Sequence, residues 1–267
     1  MGIVVFANLK GGVGKSLVAL GCAHAAASEG RRVLVVDTDP QGNATAQLTG
    51  ATASDPPKLT LADVLDRETQ TPVLDAVIGS RRAGIDVLPS GFDGLQAVQD
   101  RLFGKPGAES SLARALRPVA DQWDQIFIDT RPATDLVTRN ALMAADGVVL
   151  ILEPEVPAIW GADQTMQVID ELREYLGKEL PVSGWVINRV NNSRKDHAEY
   201  IAKIRELAEA EEVPILGDPI PLMADLSRLT VVGMGLDEHP RPSARSRNLA
   251  ANFAAIADQL RSEGVPA

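Results

Sequence analysis

One glycine-rich segment constrains what this chain can fold into more than any other feature. The segment is Lys10, Gly11, Gly12, Val13, Gly14, Lys15 and Ser16. An apolar run at residues 3–7 precedes it, and an Ala- and Leu-rich stretch at residues 15–29 follows it and ends at Gly30. A short apolar run is typical of a buried strand, and a periodic stretch that stops at glycine is typical of a helix. The chain therefore starts with a strand, a tight loop and a helix.

The rest of the chain repeats this alternation. Apolar runs lie at residues 33–36, 85–88, 126–128, 148–152 and 182–187, with a weaker one at 213–216. Helical patterns lie at about 92–103, 109–117, 136–145, 158–176, 194–211 and 243–262, the last with Ser243 as N-cap. The pattern predicts an α/β fold, a mostly parallel twisted sheet with helices on both faces. Because the composition does not shift along the chain, we expect a single domain over residues 1–267.

The composition indicates where the protein is located and excludes some kinds of site. Among 267 residues Cys22 is the one cysteine, so a single chain can form no disulfide and no cysteine-held iron–sulfur or zinc site. No apolar run approaches the roughly 18 residues of a membrane span. We expect a cytoplasmic protein that binds no membrane. The formal net charge is −10, but residues 189–205 carry a local net charge of +3 and residues 241–257 hold three arginines.

The glycine-rich segment has the chemistry of a phosphate site. Phosphate oxygens need several converging backbone N–H donors, and glycines let the backbone curl closely enough to supply them. The N-terminus of the following helix adds a partial positive charge. We expect the Lys15 ammonium to neutralise the β- and γ-phosphates of a nucleotide, and the Ser16 hydroxyl to bind Mg²⁺. Leu9 stands where the general motif has its first glycine.

Carboxylates follow two further strands of the predicted sheet. Asp37 and Asp39 come directly after the run at 33–36, and Asp129 ends the run at 126–128. Ligands of open α/β sheets bind at the carboxyl ends of the strands. We therefore expect these carboxylates to lie beside the glycine-rich segment. An ordinary turn residue at Asp39 and a strand-end cap at Asp129 are the structural alternatives.

The segment from Lys10 to Ser16 resembles the deviant Walker A motif of the ParA/MinD-type ATPases, in which Lys10 is the signature lysine. Residues 37–43, Asp-Thr-Asp-Pro-Gln-Gly-Asn, resemble a segment of the ParA branch specifically. The resemblance runs over nearly the whole chain and implies a P-loop NTPase fold with ATP and Mg²⁺ as cofactors. We expect no separate N-terminal helix-turn-helix domain of the kind that larger plasmid ParA proteins carry.

The same resemblance implies a role for each site residue. Lys10 would cross a dimer interface to the partner's nucleotide, where a second cation stabilises the transferring phosphoryl group. Asp39 would position the attacking water, and Asp37 would support the metal or the loop. The implied catalytic residues are Lys10, Lys15 and Asp39, and the implied Mg²⁺ residues are Ser16, Asp39 and Asp129. The implied ATP contacts are Lys10, Gly11, Gly12, Val13, Gly14, Lys15, Ser16, Leu17, Asn188, Pro219, Ile220 and Pro221. Asn188 would read the adenine, and residues 219–221 would cup it.

Three parts of the sequence depart from the family pattern. Leu17 replaces a usual second Thr, which should have little effect. Thr130-Arg131-Pro132 replaces the commoner Cys-Pro-Pro, and Asp135 stands near a position where glycine is common. These residues form the switch II region, so its response to ATP is in question. For Arg131, a contact to phosphate or to the other subunit and a surface salt bridge both stay open.

The resemblance implies a ParA-like partition ATPase. ATP would close two subunits into a dimer that binds DNA non-specifically, and a ParB-like partner would stimulate slow hydrolysis on the nucleoid. The candidate DNA contacts are Arg189, Arg194, Lys195, Lys203, Arg245 and Arg247. The alternatives are an ATPase that positions a non-DNA cargo on the nucleoid, a metabolic ATP-dependent enzyme of the same superfamily, and a non-hydrolysing scaffold.

The remaining aromatic and histidine residues carry weaker signals. Trp123, Trp160 and Trp185 do not interleave with basic residues, so we interpret them as packing residues. His24, His197 and His239 lie far apart in the sequence and show no metal-ligand spacing.

Overall fold

Each strong apolar run of the sequence forms a strand in the computed structural model, which describes residues 2–223 and 233–262. The strands of this described part are β1 (Ile3–Ala7), β2 (Val33–Asp37), β3 (Ile78–Gly79), β4 (Ile85–Leu88), β5 (Gln125–Asp129), β6 (Gly147–Leu152) and β7 (Val182–Ile187). The six strong runs match their strands to within one residue. Continuous apolar runs are typical of strands whose two faces are both covered.

Helices connect the strands. They are α1 (Lys15–Ser28), α2 (Asn43–Thr49), α3 (Leu61–Leu65), α4 (Val73–Ala76), α5 (Asp93–Leu102), α6 (Ser111–Leu116), α7 (Leu136–Ala144), α8 (Val156–Leu176), α9 (Lys195–Ala210) and α10 (Ala244–Ser262). Short 3₁₀ turns cover Ala108–Ser110, Arg117–Gln122 and Leu236–Glu238. The predicted N-cap of the last helix is confirmed, because the Ser243 hydroxyl accepts a hydrogen bond of 3.0 Å from the Ser246 amide.

The strands of the described residues form one seven-stranded sheet in the order β3-β4-β2-β5-β1-β6-β7. Every neighbouring pair is parallel except β3 and β4, which pair antiparallel at the edge. This confirms the predicted mostly parallel α/β fold. Because the strands run the same way, the carboxyl ends of β2, β5, β1, β6 and β7 meet along one edge of the sheet.

Helices cover both faces of the sheet. Val5 of β1 belongs to the hydrophobic cluster on the face that α3 and α5–α9 cover. Val4 and Phe6 belong to the opposite cluster, with α1, α2 and α10. There the Phe6 and Phe127 rings meet edge to face with centroids 5.5 Å apart. Full burial of each ring is worth about 1.5–3 kcal/mol, so both faces stabilise the central strands.

Some elements differ from the prediction. The strand expected at 213–216 was wrong: Ile215 forms a single bridge to Trp185, and the chain turns at Gly217, which has a φ of 62°. The helices α2, α3 and α4 and the edge strand β3 were not predicted. They contain seven, five, four and two residues, too few to show a period in the sequence.

The interpretation of Trp160 as a packing residue was wrong. Trp123 and Trp185 are buried as predicted, whereas Trp160 is 67% exposed on α8. A tryptophan side chain with so large an exposed fraction is unusual on a protein surface. Among the helices of residues 2–223 and 233–262, none combines the length and the apolar character that a bilayer crossing needs.

The packing of α10 on α1 depends on Gly21. A Cβ at Gly21 would lie 2.6 Å from the Phe253 ring, and that ring is fully buried. We expect Gly21→Ala to lower the free energy of unfolding by about 1–3 kcal/mol, because the ring has no room to retreat. Urea denaturation measures this change. The control is Gly79→Ala, whose added Cβ meets nothing within 4 Å and which should change stability by less than about 0.5 kcal/mol. Equal effects of the two substitutions would contradict the close packing.

Candidate functional site

The glycine-rich segment joins β1 to α1 in a loop that requires glycine at two positions. Gly12 and Gly14 have φ values of 80° and 92°, in the left-handed region that side chains disfavour. A Cβ at Gly14 would also lie 2.2 Å from Nδ2 of Asn188. Gly14 is the N-cap of α1, and no side-chain hydrogen bond caps this end among the described residues. The first amides of a 14-residue helix therefore face the loop as anion donors.

The Lys15 side chain is buried inside this loop. Lys15 is 6% exposed, and its Nζ donates a hydrogen bond of 3.1 Å to the Asn8 carbonyl oxygen. Burial lowers the pKa of Lys15, although the nearby Asp129 and Asp39 carboxylates oppose this effect. A buried ammonium is costly unless an anion accompanies it. Its position fits a phosphate group held by the loop.

Two buried carboxylates stand side by side on the neighbouring strands. Asp37 of β2 and Asp129 of β5 are partners in the strand register and are fully buried. Asp37 accepts hydrogen bonds from the amide and hydroxyl of Thr45 at 2.8 and 2.7 Å, and from the Asp39 amide at 3.1 Å. Burial raises the pKa of Asp37 to about 6, even though these hydrogen bonds lower it. Asp37 thus holds the start of α2, one of the two roles considered for it.

Asp129 lacks the partners that Asp37 has. Burial raises the pKa of Asp129 to about 8, and the Asp37 charge adds to this, while Ser16 and Lys15 lower it. The Ser16 hydroxyl is near enough to affect the pKa, yet neither Asp129 oxygen completes a hydrogen bond of ordinary geometry in the described residues. A buried carboxylate without a partner suits a cation.

The residues present fit Mg²⁺ rather than a protein-only metal cage. In the described part of the chain, no three His, Cys, Asp or Glu side chains converge as metal ligands. Mg²⁺ commonly takes one or two protein oxygens and completes its shell with water and substrate phosphates. The Ser16 hydroxyl and the Asp129 carboxylate, beside a phosphate-shaped loop, are such a set.

Asp39 lies at the mouth of the site. Its carboxylate oxygen Oδ1 accepts a hydrogen bond of 2.9 Å from the Gln41 amide, and its carbonyl accepts one of 2.6 Å from the Ser90 hydroxyl. These contacts show that Asp39 also forms a turn, which was the structural alternative given for it in the sequence analysis. They leave its second carboxylate oxygen for a ligand or water. The role of Asp39 in hydrolysis stays a prediction.

Asn188 and the segment 219–221 come together beside the loop. Asn188 is 1% exposed, and its Nδ2 donates a hydrogen bond of 2.7 Å to the Val13 carbonyl. Its Oδ1 is buried and has no hydrogen-bond partner in the described residues. Ile220 pairs with the end of β7 through hydrogen bonds to Ile187 and Val190 at 2.8 and 2.9 Å, which brings Pro219 and Pro221 to the same place.

Lys10 points to a different set of partners. Its Nζ lies 3.0 Å from Oε2 of Glu153 and 3.3 Å from Oε2 of Glu155. Sequence reasoning missed both glutamates. The signal was present, since they directly follow the β6 run and so lie at the same sheet edge as the other site residues.

Comparison with known proteins identifies the family. A family model described as an AAA domain matches residues 1–182. The chromosome partitioning protein ParA of Caulobacter vibrioides is 33% identical over 241 residues, which cover 84% of this chain and 87% of that protein. The chain belongs to the ParA/MinD-type family of P-loop ATPases.

Solved structures share the fold of this ParA/MinD-type chain. Cobyrinic acid a,c-diamide synthase of Mycobacterium smegmatis, with a bound ATP analogue and magnesium, is 26% identical with a TM-score of 0.77, covering 96% of this chain and 92% of that chain. Apo McdA of Cyanothece is 24% identical with a TM-score of 0.83, covering 97% and 98% of the two chains. At that identity, the likeness to McdA concerns the fold alone.

Residues 130–135, which the family resemblance assigns to switch II, form hydrogen bonds and an ion pair within their own chain. The Thr130 hydroxyl donates a hydrogen bond of 2.7 Å to the Phe6 carbonyl. Nη2 of Arg131 lies 3.0 Å from Oδ2 of Asp135, and Asp135 caps α7 through the Thr138 amide at 3.0 Å. Of the alternatives for Arg131, the structure contains the salt bridge.

The six candidate DNA contacts divide into two groups. Arg189 pairs with Glu153 at 3.2 Å, and Arg194 pairs with Glu155 at 2.8 Å and also with Asp196. The other four form no ion pair within the described residues, and all are exposed; they are Lys195, Lys203, Arg245 and Arg247. Arg247 donates a hydrogen bond of 2.7 Å to the Pro242 carbonyl.

The raised pKa values predict how stability depends on pH. Because the pKa of Asp129 is about 8 in the folded protein against an ordinary 3.8, the folded state binds the proton more tightly than the unfolded state. This stabilisation is complete below about pH 4 and is lost as the pH rises through about 8. We expect nucleotide-free wild type to lose thermal stability over this range relative to Asp129→Asn. The exposed Asp75→Asn serves as control and should parallel the wild type. Parallel melting curves for wild type and Asp129→Asn would contradict the assignment.

Proposed function

We propose that this protein is a ParA-like ATPase that uses Mg-ATP to switch between monomer and DNA-binding dimer. The observation that carries the proposal is the contrast between the two lysines of one loop. Lys15 is buried near the carboxylates of the site, whereas the Lys10 side chain is 22% exposed and pairs with the partly buried Glu153 and Glu155. One lysine suits the nucleotide of its own subunit, and the other is available to a second subunit.

The cofactors ATP and Mg²⁺ are supported by both chemistry and relatives. The M. smegmatis synthase holds an ATP analogue with magnesium in the same fold. In this chain, Ser16 and Asp129 would hold Mg²⁺, which neutralises the charge that develops on the phosphates. The loop amides of residues 11–16 and the Lys15 ammonium would bind the phosphate oxygens. The buried Oδ1 of Asn188, to which no group in the described part of the chain donates, would accept a hydrogen bond from the adenine amino group, with Pro219, Ile220 and Pro221 beside the base.

Hydrolysis requires a positioned water and a stabilised phosphoryl group. Asp39 would orient the water through its outer carboxylate oxygen, and Lys10 of the opposite subunit would supply the second cation. Because that cation arrives only on pairing, a lone subunit should hydrolyse ATP slowly. A ParB-like partner that stabilises the paired state would raise the rate. The protein would then act in the cytoplasm, on the nucleoid.

An apolar patch next to the loop supports pairing. Val156 and Trp160 lie one helical turn apart at the start of α8 and are 36% and 67% exposed. This part of α8 packs directly on the loop, since the Leu9 amide donates a hydrogen bond to the Gly161 carbonyl at 3.5 Å. Large exposed apolar side chains beside a functional site commonly mark protein interfaces. A second copy of the chain is the occupant that would also bring Lys10 to the site.

Substituting the two lysines separately tests the switch. We expect Lys15→Ala to weaken nucleotide binding about ten- to hundredfold, because it removes a buried charge-assisted contact. We expect Lys10→Ala to bind nucleotide within about threefold of wild type, since Lys10 pairs with Glu153 and Glu155 rather than with the buried carboxylates of the site, yet to stay monomeric in ATP. Fluorescent-nucleotide titration and light scattering measure the two properties. A wild type that stays monomeric with saturating Mg-ATP would contradict the switch.

The unpaired basic residues are the proposed DNA contacts. We expect Lys195→Glu combined with Lys203→Glu to weaken DNA binding of the ATP-bound protein and to reduce the slope of log affinity against log salt by about one per residue. Binding to a fluorescent duplex at several salt concentrations measures both effects. The control, Lys58→Glu with Lys105→Glu, makes the same charge change at two other exposed lysines. Equal loss in both variants would indicate a general charge effect and contradict the assigned surface.

A metabolic ATP-dependent enzyme is the second candidate, because the chain resembles cobyrinic acid a,c-diamide synthase over 96% of its length. Such an enzyme would form product from a second substrate in an ATP-dependent manner, independent of DNA. Assaying ATP turnover with and without DNA and a ParB-like partner separates the two functions. Turnover that neither addition changes would favour the enzyme.

A further inference from the structure

Two glutamates of the chain form an acidic clamp around the signature lysine. We define this acidic clamp as Glu153 and Glu155, whose Oε2 atoms lie 3.0 and 3.3 Å from Nζ of Lys10. All three side chains are partly buried: Glu153 is 14% exposed, Glu155 is 29% exposed and Lys10 is 22% exposed. One ammonium therefore contacts two carboxylates of its own subunit, at the edge of the sheet where the nucleotide is proposed to bind.

The acidic clamp also holds two arginines through its remaining oxygens. Oε1 of Glu153 accepts a hydrogen bond of 3.2 Å from Nε of Arg189, and Oε1 of Glu155 accepts one of 2.8 Å from Nη1 of Arg194. Burial raises the pKa of Glu155, but the hydrogen bonds from Lys10 and Arg194 outweigh it and leave the pKa below its ordinary value. Both carboxylates thus share their charge between the lysine and an arginine.

Backbone packing fixes the acidic clamp relative to the loop. A Cβ at Gly161 would lie 2.3 Å from Oδ1 of Asn8 and 2.8 Å from the Lys10 amide nitrogen, so α8 and the loop are in direct contact. The Lys10 amide donates a hydrogen bond of 2.7 Å to Oδ1 of Asn8. The backbone of Lys10 is therefore anchored to Asn8 and packed against α8.

We propose that Glu153 and Glu155 are positioning residues that retain the Lys10 side chain on its own subunit. Lys10 leaves them when the phosphates of a second subunit's nucleotide compete for its ammonium group. This inference rests on the proposed function. Lys10 has one ammonium, so contact with the partner's phosphates requires leaving the acidic clamp. The strength of the clamp then sets the protein concentration at which nucleotide-bound subunits pair.

Arg189 and Arg194 make this release reversible. A partly buried carboxylate left without a cation is costly. When Lys10 leaves, each carboxylate keeps one arginine, so neither remains uncompensated. Removing an arginine should therefore strengthen the hold on Lys10, and removing the glutamate charge should weaken it. Because the chain has a net charge of −10, a general effect of charge on pairing would act in the same directions, so the experiment needs a control variant with the same charge change elsewhere on the surface.

The first experiment measures pairing of the full chain with Mg-ATP and no DNA. We expect E153Q/E155Q to lower the half-dimerisation concentration about three- to tenfold, consistent with loss of two partly exposed ion pairs, and R194Q to raise it. The control, E171Q/E179Q, removes two exposed glutamates that pair with Arg139 and Arg173 elsewhere on the surface. It should pair at the wild-type concentration.

The second experiment needs no dimer. Nucleotide-free protein is treated with an amine-acylating reagent, and modification of each lysine is followed by mass spectrometry. We expect Lys10 to react severalfold faster in E153Q/E155Q and in the single variant E155Q than in wild type, with Lys203 unchanged as an internal reference. Faster labelling of Lys203 as well would indicate general loosening and overturn the assignment.

The outcomes separate this inference from the proposed function. A wild type that never pairs in ATP defeats the proposed function, while faster Lys10 labelling would still demonstrate the acidic clamp. A wild type that pairs, together with an E153Q/E155Q variant that pairs at the same or a higher concentration, overturns the inference. In that last case, the glutamates would orient Lys10 toward the partner rather than retain it.

Discussion

The arrangement of charge at one edge of a parallel sheet is the constraint on which the rest of this structure depends. Asp37 and Asp129 stand in register on adjacent strands and both are buried, but among residues 2–223 and 233–262 only the Asp37 carboxylate has hydrogen-bond partners. Two neighbouring carboxylates in a buried site cannot both be charged without compensation. Lys15 supplies part of it from the loop, and a bound cation would supply the rest. The glycine loop, the N-terminus of α1 and the strand ends all lie around these two carboxylates, whose negative charge is not fully compensated.

The two lysines of the loop answer different electrostatic needs. Lys15 is buried near the Asp129 and Asp39 carboxylates. Its proposed ligand is the phosphate of the nucleotide in its own subunit. Lys10 belongs to Glu153 and Glu155, which lie outside the phosphate loop. The different partners of the two side chains thus separate the proposed binding of the nucleotide from the proposed communication between subunits.

Much of the site was predictable because its signals are local. Asp37 and Asp129 end strands, and residues 10–16 and Asn188 follow strands. Parallel strands bring these ends together at one edge of the sheet, whatever the connecting helices do. Other residues resisted prediction because their surroundings are not local. Trp160 shares a helix with buried residues, and only packing decides which face is covered. The sequence pattern of Arg189 and Arg194 predicts a cationic surface, but Glu153 and Glu155, which pair with them, lie 36 and 39 residues away along the chain.

The sequence by itself determined the six main strands, the longer helices between them and the resemblance to the family, and it predicted a phosphate loop. Periodicity, glycine placement and adjacent charges are properties of neighbouring residues, so they need no fold to be read. The tertiary structure alone decided which strand pairs with which, and hence that Asp129 meets Asp37 and that Lys10 meets the glutamates after β6. Pair energies depend on distance and burial, and both arise only when segments far apart in the chain are packed together.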